Sequence, residues 1–442
     1  MKIEKKLWII LFAFGIFAIC FSGWIFRQST AREKLFWDNT IRCETKELKE
    51  GEIKSENIAL PEDFDVPKSI LFKTTHTIAE VWLDGEKIYE YGNEADAPGF
   101  MKTPGSCWHI VDIPGDSSGK NLEVRIIPVY EGYYGNEVSL VYGTRGDCIL
   151  KILTDCLGIL VISCGILFAA VICILLYCGA ARRKRSDKTE AKIEIFLNLG
   201  FFSLLVAVWT LVQCGFLQFL IPDGRTLYFV EYFSLFLFPV PFNFLLYDIC
   251  KSRYHKGALI FSILYLTNMA VDVLLQCTGI IDMSRLLSVI HVIMVANVVY
   301  TVVIILYEAG KKENDVAQKF RYPMCVVMGF GMAEMIFYYL RRFEQISILL
   351  SMGTMLFIIM LIWIQVSQYY DQYIQKQKVI YLQKIANMDM LTEAMNRNAY
   401  EDMVKYLDEG EIKLSTTGVV VFDLDDLKVI NDNFGHEKGD EA

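Results

Sequence analysis

Hydrophobic residues fall into eight stretches long enough to cross a bilayer, interrupted once by a polar block over residues 27–150. A hydrocarbon core of ~30 Å takes about 20 apolar residues of helix. The stretches that qualify are 7–26, 151–178, 193–221, 226–250, 257–280, 284–308, 322–340 and 346–369. Lys2, Lys5 and Lys6 precede the first and hold its N-terminus in the cytoplasm by the positive-inside rule. A signal peptide is the alternative for 7–26, but Trp24, Phe26 and Arg27 stand where cleavage needs small residues, so an uncleaved anchor is the reading taken. The polar block then lies outside. The loops with Arg182, Arg183, Lys184 and Arg185, with Lys251, Arg253 and Lys256, and with Lys311 and Lys312 all lie inside. Only Arg341 and Arg342 fall on the opposite side, and eight crossings return the C-terminus to the cytoplasm.

Within the polar block the period shortens to two. "SILFKTT" (69–75), "IAEVWLD" (78–84), "EKIYEYG" (86–92) and "NLEVRIIPVY" (121–130) are rich in β-formers, and Asp84-Gly85 is a hairpin turn signal. A small β-sandwich follows for residues 27–150. Trp82, Tyr89, Tyr91, Trp108, Tyr130, Tyr133 and Tyr134 have amphipathic rings suited to a sugar or peptide ligand, although sandwich core and membrane-proximal belt account for them more simply. Cys43, Cys107 and Cys148 share this block, so one pair has the compartment in which to oxidise.

Composition supports the membrane reading: of 442 residues 54% are hydrophobic and mean hydropathy is +0.34. The net charge of −9, with basic residues confined to short runs beside apolar segments, excludes a nucleic-acid binder. Glu231, Asp248, Asp272 and Glu334 fall within the spans, where ionisable groups are costly. Asp272 and Glu231 lie near span ends and read as interfacial, while Glu334, mid-span in "GFGMAEMIFYYL", is the candidate switch, with an interhelical hydrogen bond as the alternative. The last two spans hold no lysine, which argues against a retinal photoreceptor. Residues 371–388 read as a polar linker helix, with Ile374, Tyr381 and Met388 at heptad spacing interrupted by Lys378.

The last stretch carries chemistry. "GVVVFD" (418–423) has the continuous β-branched and aromatic character of a central strand and brings Asp423 to its end. Asp425 and Asp426 follow, then Leu427, Ile430 and Phe434 at helical spacing, with Gly435 placed as a left-handed cap. A strand, an acidic turn and a helix N-terminus together suit a divalent cation and a phosphate.

The longer pattern resembles the GGDEF domain of the diguanylate cyclase family. "DMLTEAMNRNAY" (389–400) carries Asp389, Leu391, Thr392, Asn396 and Arg397 of the family's opening motif, and Glu393 and Ala394 depart from its usual Gly-Leu. Asp423, Asp425, Lys428, Asn431, Asp432, Gly435, His436, Gly439 and Asp440 match the following segment, with Leu427 in place of Phe. The resemblance implies condensation of two GTP into cyclic di-GMP between two facing domains, hence a homodimer. It implies Mg2+ (or Mn2+) held by the Asp423 carboxylate and the Leu424 backbone carbonyl, and guanine read by Asn431 and Asp440. The family's GG(D/E)EF turn, which carries the second metal carboxylate, does not occur in residues 389–442, so the domain is expected to be partial and the stretch inactive by itself. No catalytic residue beyond these metal and guanine positions is assigned.

The whole layout resembles the bacterial seven-transmembrane receptors with diverse intracellular signalling modules, whose outer domains are often jelly-roll-like. The expected fold is a multi-pass α-helical membrane protein of eight spans with an extracellular jelly-roll-like β-sandwich and a partial cytoplasmic α/β GGDEF domain. The expected function is a plasma-membrane receptor that converts an external cue, carbohydrate or another small molecule, into cyclic di-GMP. The alternative is a receptor whose GGDEF domain binds GTP without catalysis and acts through a protein partner.

Overall fold

The computed structural model describes residues 40–42, 54–60, 67–93, 98–130, 139–184, 194–251, 253–311, 313–340, 347–389, 392, 394–409, 418 and 420–441. The chain divides into two compact units, Met1–Ile362 and Trp363–Ala442.

The first unit begins with eight strands in two antiparallel four-stranded sheets, ordered β1-β8-β3-β6 and β2-β7-β4-β5. These are β1 (Thr40–Arg42), β2 (Lys54–Ala59), β3 (Lys68–Thr75), β4 (Thr77–Leu83), β5 (Glu86–Tyr91), β6 (Ser106–Ile113), β7 (Asn121–Pro128) and β8 (Ser139–Gly143). Strict alternation directs Ala79, Val81 and Leu83 of β4 and Leu122, Val124 and Ile126 of β7 inward, where they meet Ile70, Phe72, Val111, Ile113 and Leu140 of the other sheet in one core. The β4–β5 hairpin turns at Asp84 (φ 49°) and Gly85 (φ 85°), the paired positive angles that tight hairpins require. In β3 the run Ser69, Ile70, Leu71, Phe72 is buried without alternation. Its second face is also covered, because Leu71 and Val141 pack on Cys148, Ile152 and Cys156 of the first helix. Of the strands missed in the sequence, β1 and β8 are short, and β6 carries Cys107, His109 and Asp112 among its apolar positions.

The helices are α1 (Arg145–Lys184), α2 (Glu194–Gln213), α3 (Gly224–Leu237), α4 (Pro239–Ile249), α5 (Lys256–Cys277), α6 (Leu287–Gly310), α7 (Asp315–Leu340) and α8 (Ile348–Asn387). Six helical segments among the described residues are long and apolar enough to cross a membrane: Arg145–Gly179, Glu194–Gln213, Gly224–Ile249, Arg253–Cys277, Met283–Gly310 and Asp315–Leu340. The chain is therefore a multi-pass membrane protein. Of the eight expected spans, 7–26 lies outside the described residues, and the last is present as the shorter apolar helix Ile348–Ile364 at the start of α8.

Span boundaries move where side-chain chemistry intervenes. The expected helix over 226–250 is two, because Pro239 has no N–H to continue the ladder and opens α4 at its first position. The span expected from 193 to 221 ends at Gln213, and the chain then tightens into a 3-10 turn, Phe216–Phe219. Helix α1 starts at Arg145, inside the expected sandwich, after Asp147 accepts from the Thr144 amide (2.9 Å).

In the second unit, α9 (Arg397–Asp408) follows a turn at 388–396, and α10 (Leu427–Phe434) and α11 (His436–Glu441) lie near the end. Of the strand expected at 418–423, residues 418 and 420–423 are not in strand and have no ladder partner among the described residues, and Phe422 is 90% exposed. A strand buried on both faces exists only between neighbouring strands. Among the described residues of this unit the only β pairing is the Met388–Met395 bridge.

Candidate functional site

The opening motif builds a joint between two helices. Asp389 accepts from the Thr392 amide and hydroxyl (both 3.0 Å), its own amide donates to the Ala394 carbonyl (2.8 Å), and the turn closes on the Met388–Met395 bridge. Asn396 caps α9 by accepting from the Ala399 amide (3.2 Å) and donates to the Ala386 carbonyl near the end of α8 (2.8 Å). Asn396 thus ties the incoming helix to α9, joined by Asn398, which also donates to the Ala386 carbonyl (3.3 Å). Asn396→Ala is expected to destabilise α9 by about 1 kcal/mol, the usual worth of such a cap. Hydrogen exchange should rise at residues 397–400 and stay unchanged in α10.

Asp423 and Leu424 lead into the turn at Asp425–Asp426, and Asp426 (φ 59°) precedes α10 without capping it through its side chain. Gly435 ends α10 at φ 86° and ψ 161°, and its amide donates to the Asn431 carbonyl (2.9 Å). That conformation is open essentially to glycine alone, but it differs from the left-handed cap expected. Asn431 lies on α10 and Asp440 on α11, so the two guanine candidates belong to consecutive helices divided by Gly435. The Asn431 side-chain oxygen is enclosed and has no hydrogen-bond partner among the described residues. An acceptor in that state suits the amino and imino donors on the guanine edge. The metal candidates offer oxygen alone, as a hard divalent cation prefers. No group of three or more His, Cys, Asp or Glu among the described residues is placed to hold a metal. A cation held by Asp423 would need most of its shell from phosphate and water, as Mg2+ ordinarily does.

Glu334 takes a defined role in the first unit. Its carboxylate accepts from the amides of Ser347 (2.6 Å) and Leu350 (3.0 Å), two of the donors that the start of α8 leaves unpaired. Ser347 itself is held at φ 95°, a costly angle for a residue with a side chain. The other intramembrane acids each meet an amide: Glu231 accepts from Gln213 (2.8 Å), Asp248 from Asn198 (2.8 Å) and Asp272 from Asn268 (2.7 Å). Asp272 is buried within the protein, five residues from the end of α5.

A larger polar cluster, not anticipated from the sequence, joins the sandwich to the bundle. Asp282, buried between α5 and α6, accepts from the Tyr130 hydroxyl, the Gln276 amide (2.6 Å) and the Lys102 backbone N–H (3.3 Å). Gln276 also donates to the Phe100 carbonyl (2.7 Å) and accepts from the Met283 amide (3.0 Å). Beside it the backbones of Gly105 and Gly224 approach so closely that a Cβ on Gly224 would run into the Tyr91 hydroxyl and lie 2.9 Å from the Pro104 carbonyl oxygen. At the other end of the bundle Glu308, almost fully buried, accepts from the Lys251 amide (3.1 Å) and the Asn314 side chain (2.8 Å), linking the ends of α4, α6 and α7.

The sandwich aromatics divide among three places. Tyr89 and Tyr91 converge on buried His109, whose ring nitrogens meet the Thr74 hydroxyl (2.7 Å) and the Tyr89 hydroxyl (2.9 Å). Tyr89 and Trp108 also line a cavity of about 310 Å³ between the sandwich, α1 and the 3-10 turn. Trp82 lies apart beneath Arg125 and Lys87, Tyr130 docks on the bundle, and Tyr133 and Tyr134 lie outside the described residues. Cys107 and Cys148 are free thiols rather than a disulfide, and Cys43 lies outside the described residues.

Burial lowers His109 from 6.5 to about 3 and His76 to about 4, the latter despite the opposing pull of Asp282. Both are neutral in the fold, whereas the unfolded chain takes up protons below pH 6.5, so stability is fully present above that pH and declines as pH falls toward 4. Each histidine is expected to withdraw up to about 1.4 kcal/mol per pH unit in that window. Thermal unfolding followed from pH 7 to pH 5 should show this slope, and His109→Gln should reduce it to the share of His76.

Residues 386–442 match the family model described as "Diguanylate cyclase, GGDEF domain". No curated protein and no solved structure matches the chain. The class defined so far is a multi-pass membrane protein whose C-terminal segment is similar to a GGDEF domain, the domain of cyclic di-GMP signalling.

Proposed function

We propose that the protein is a receptor of the plasma membrane that couples an external cue to cyclic di-GMP synthesis from GTP. The buried Asp282 cluster carries this reading, because movement of the sandwich cannot leave Gln276, Tyr130 and the ends of α5 and α6 undisturbed. The sandwich lies outside and both termini in the cytoplasm, with 7–26 and 346–369 completing eight crossings. The strand orders 1-8-3-6 and 2-7-4-5 support a jelly roll, eight strands in two interleaved sheets. The external ligand is a small molecule, with the aromatic side chains of the sandwich as its contacts. In the output module Asp423 and the Leu424 carbonyl hold Mg2+ or Mn2+, Asn431 and Asp440 read guanine, and two modules meet in a homodimer.

The experiment replaces residues 389–442 with a complete cyclase module of known activity, in register with α8. Gln276→Ala and Tyr130→Phe in that chimera are expected to change basal cyclic di-GMP output several-fold. Output indifferent to both would defeat receptor coupling. If residues 389–442 completed to a whole GGDEF domain bind GTP but make no cyclic di-GMP, the non-catalytic alternative takes its place.

A further inference from the structure

Beneath the sandwich a cysteine of α1 meets the cysteine that follows α2. Cys156, in the fourth turn of α1, places its Sγ 2.6 Å from the backbone oxygen of Cys214, the residue that follows α2, and the Cys214 thiol donates to the Leu211 carbonyl (3.3 Å). Both are buried in the same apolar cluster, with Ile152 and Ile159 of α1 and Leu71 of β3. The turn that carries Cys214 is held against the sandwich. Gly215 (φ 77°) abuts the Trp108 indole so closely that a Cβ there would lie 2.7 Å from the ring. Gln218 brackets the Trp108 backbone, accepting from its N–H (2.8 Å) and donating to its carbonyl (2.6 Å). Whatever fixes Cys214 to α1 therefore fixes the footing of β6.

We propose that Cys156 and Cys214 form a redox pair, a dithiol that a lipid-soluble quinone oxidises to a disulfide, stapling α1 to the turn on which the sandwich rests. The balance is complete: each thiol loses its hydrogen, one S–S bond forms, and the quinone takes the two electrons and two protons to become the hydroquinone. A quinone partitions into the hydrocarbon phase, which water-soluble oxidants enter poorly. The closed loop runs from α1 through the whole of α2, so the constraint on the unfolded chain is a long-loop one. The proposal stands apart from the cyclase reading and survives its failure.

The test uses the protein in its membrane. Vesicles are treated with duroquinone, whose fully substituted ring disfavours thiol addition, or with dithiothreitol. Free thiols are then blocked with N-ethylmaleimide in detergent, and peptides are read by mass spectrometry. The expected result is a Cys156–Cys214 linked peptide, two hydrogens lighter than the dithiol, that grows with duroquinone and vanishes with dithiothreitol. The thermal midpoint should rise on oxidation in the wild type and stay fixed in Cys156→Ser and Cys214→Ser. Recovery of Cys156 and Cys214 as separately blocked peptides after duroquinone overturns the proposal, and because that reading needs the wild-type protein alone, a variant that misfolds does not obscure it.

Discussion

Glu334→Ala is expected to loosen the first turn of α8 and lower stability by about 3 kcal/mol, since two hydrogen bonds to a charged acceptor are lost and two buried N–H groups are left unpaired. Both bonds converge on the residues that open the helix, Ser347 and Leu350, from a carboxylate on the preceding helix. Glu334→Gln should fall between, because an amide keeps an oxygen for one donor and surrenders the charge that favours a helix N-terminus. Hydrogen exchange at 347–351 in membranes, with the thermal midpoint alongside, reads the effect. The expected order is alanine, then glutamine, then wild type. Equal protection in all three would show that α8 starts without help. The sequence offered Glu334 as a switch or as an interhelical bond, and the geometry gives it a specific form of the second, a helix cap delivered from a neighbour. Because α8 continues unbroken to Asn387, beside the Asn396 joint, the cap acts on the element that enters the output module.

What the sequence made legible follows from how local each determinant is. The alternation in β4 and β7, the positive-φ turn at Asp84-Gly85 and the apolar runs of α1 and α6 are encoded within a few residues of themselves. The Asp282 cluster is not. Asp282 stands in a short connection between apolar helices, where an acid is unremarkable, and only the docking of a sandwich whose Tyr130 lies 152 positions away makes it a buried hub. His76 and His109 are similar, isolated in sequence and enclosed in space. Residues 418–423 fail in the opposite sense. Their composition is right for a central strand, but strand formation is a property of the pair, and no second strand lies beside them among the described residues. The Asn431 oxygen left without a partner was likewise invisible, since the sequence names the residue but not what surrounds it.

Asp423→Ala is expected to lower cyclic di-GMP formation by about 10²-fold or more, with residues 389–442 completed to a whole GGDEF domain, because a lost metal carboxylate removes several kcal/mol of charge stabilisation from phosphoryl transfer. Asp423 is the residue on which the effect should concentrate, since Leu424 contributes a backbone carbonyl that substitution leaves in place. Asp423→Asn isolates the charge, as it keeps the size and an oxygen ligand while weakening the hold on the cation, so part of its loss should return at raised Mg2+. Asn431→Ala should behave differently. It removes an acceptor for guanine and leaves the metal alone, so KM for GTP should rise with little change in kcat and no rescue by Mg2+. The pair of profiles separates metal from base recognition within one short segment. If Asp423→Ala and wild type are equally active, the strand-end carboxylate is not a ligand and the acidic turn is a solvated surface feature. If Asn431→Ala lowers kcat with KM unchanged, the enclosed amide positions α10 rather than the nucleotide.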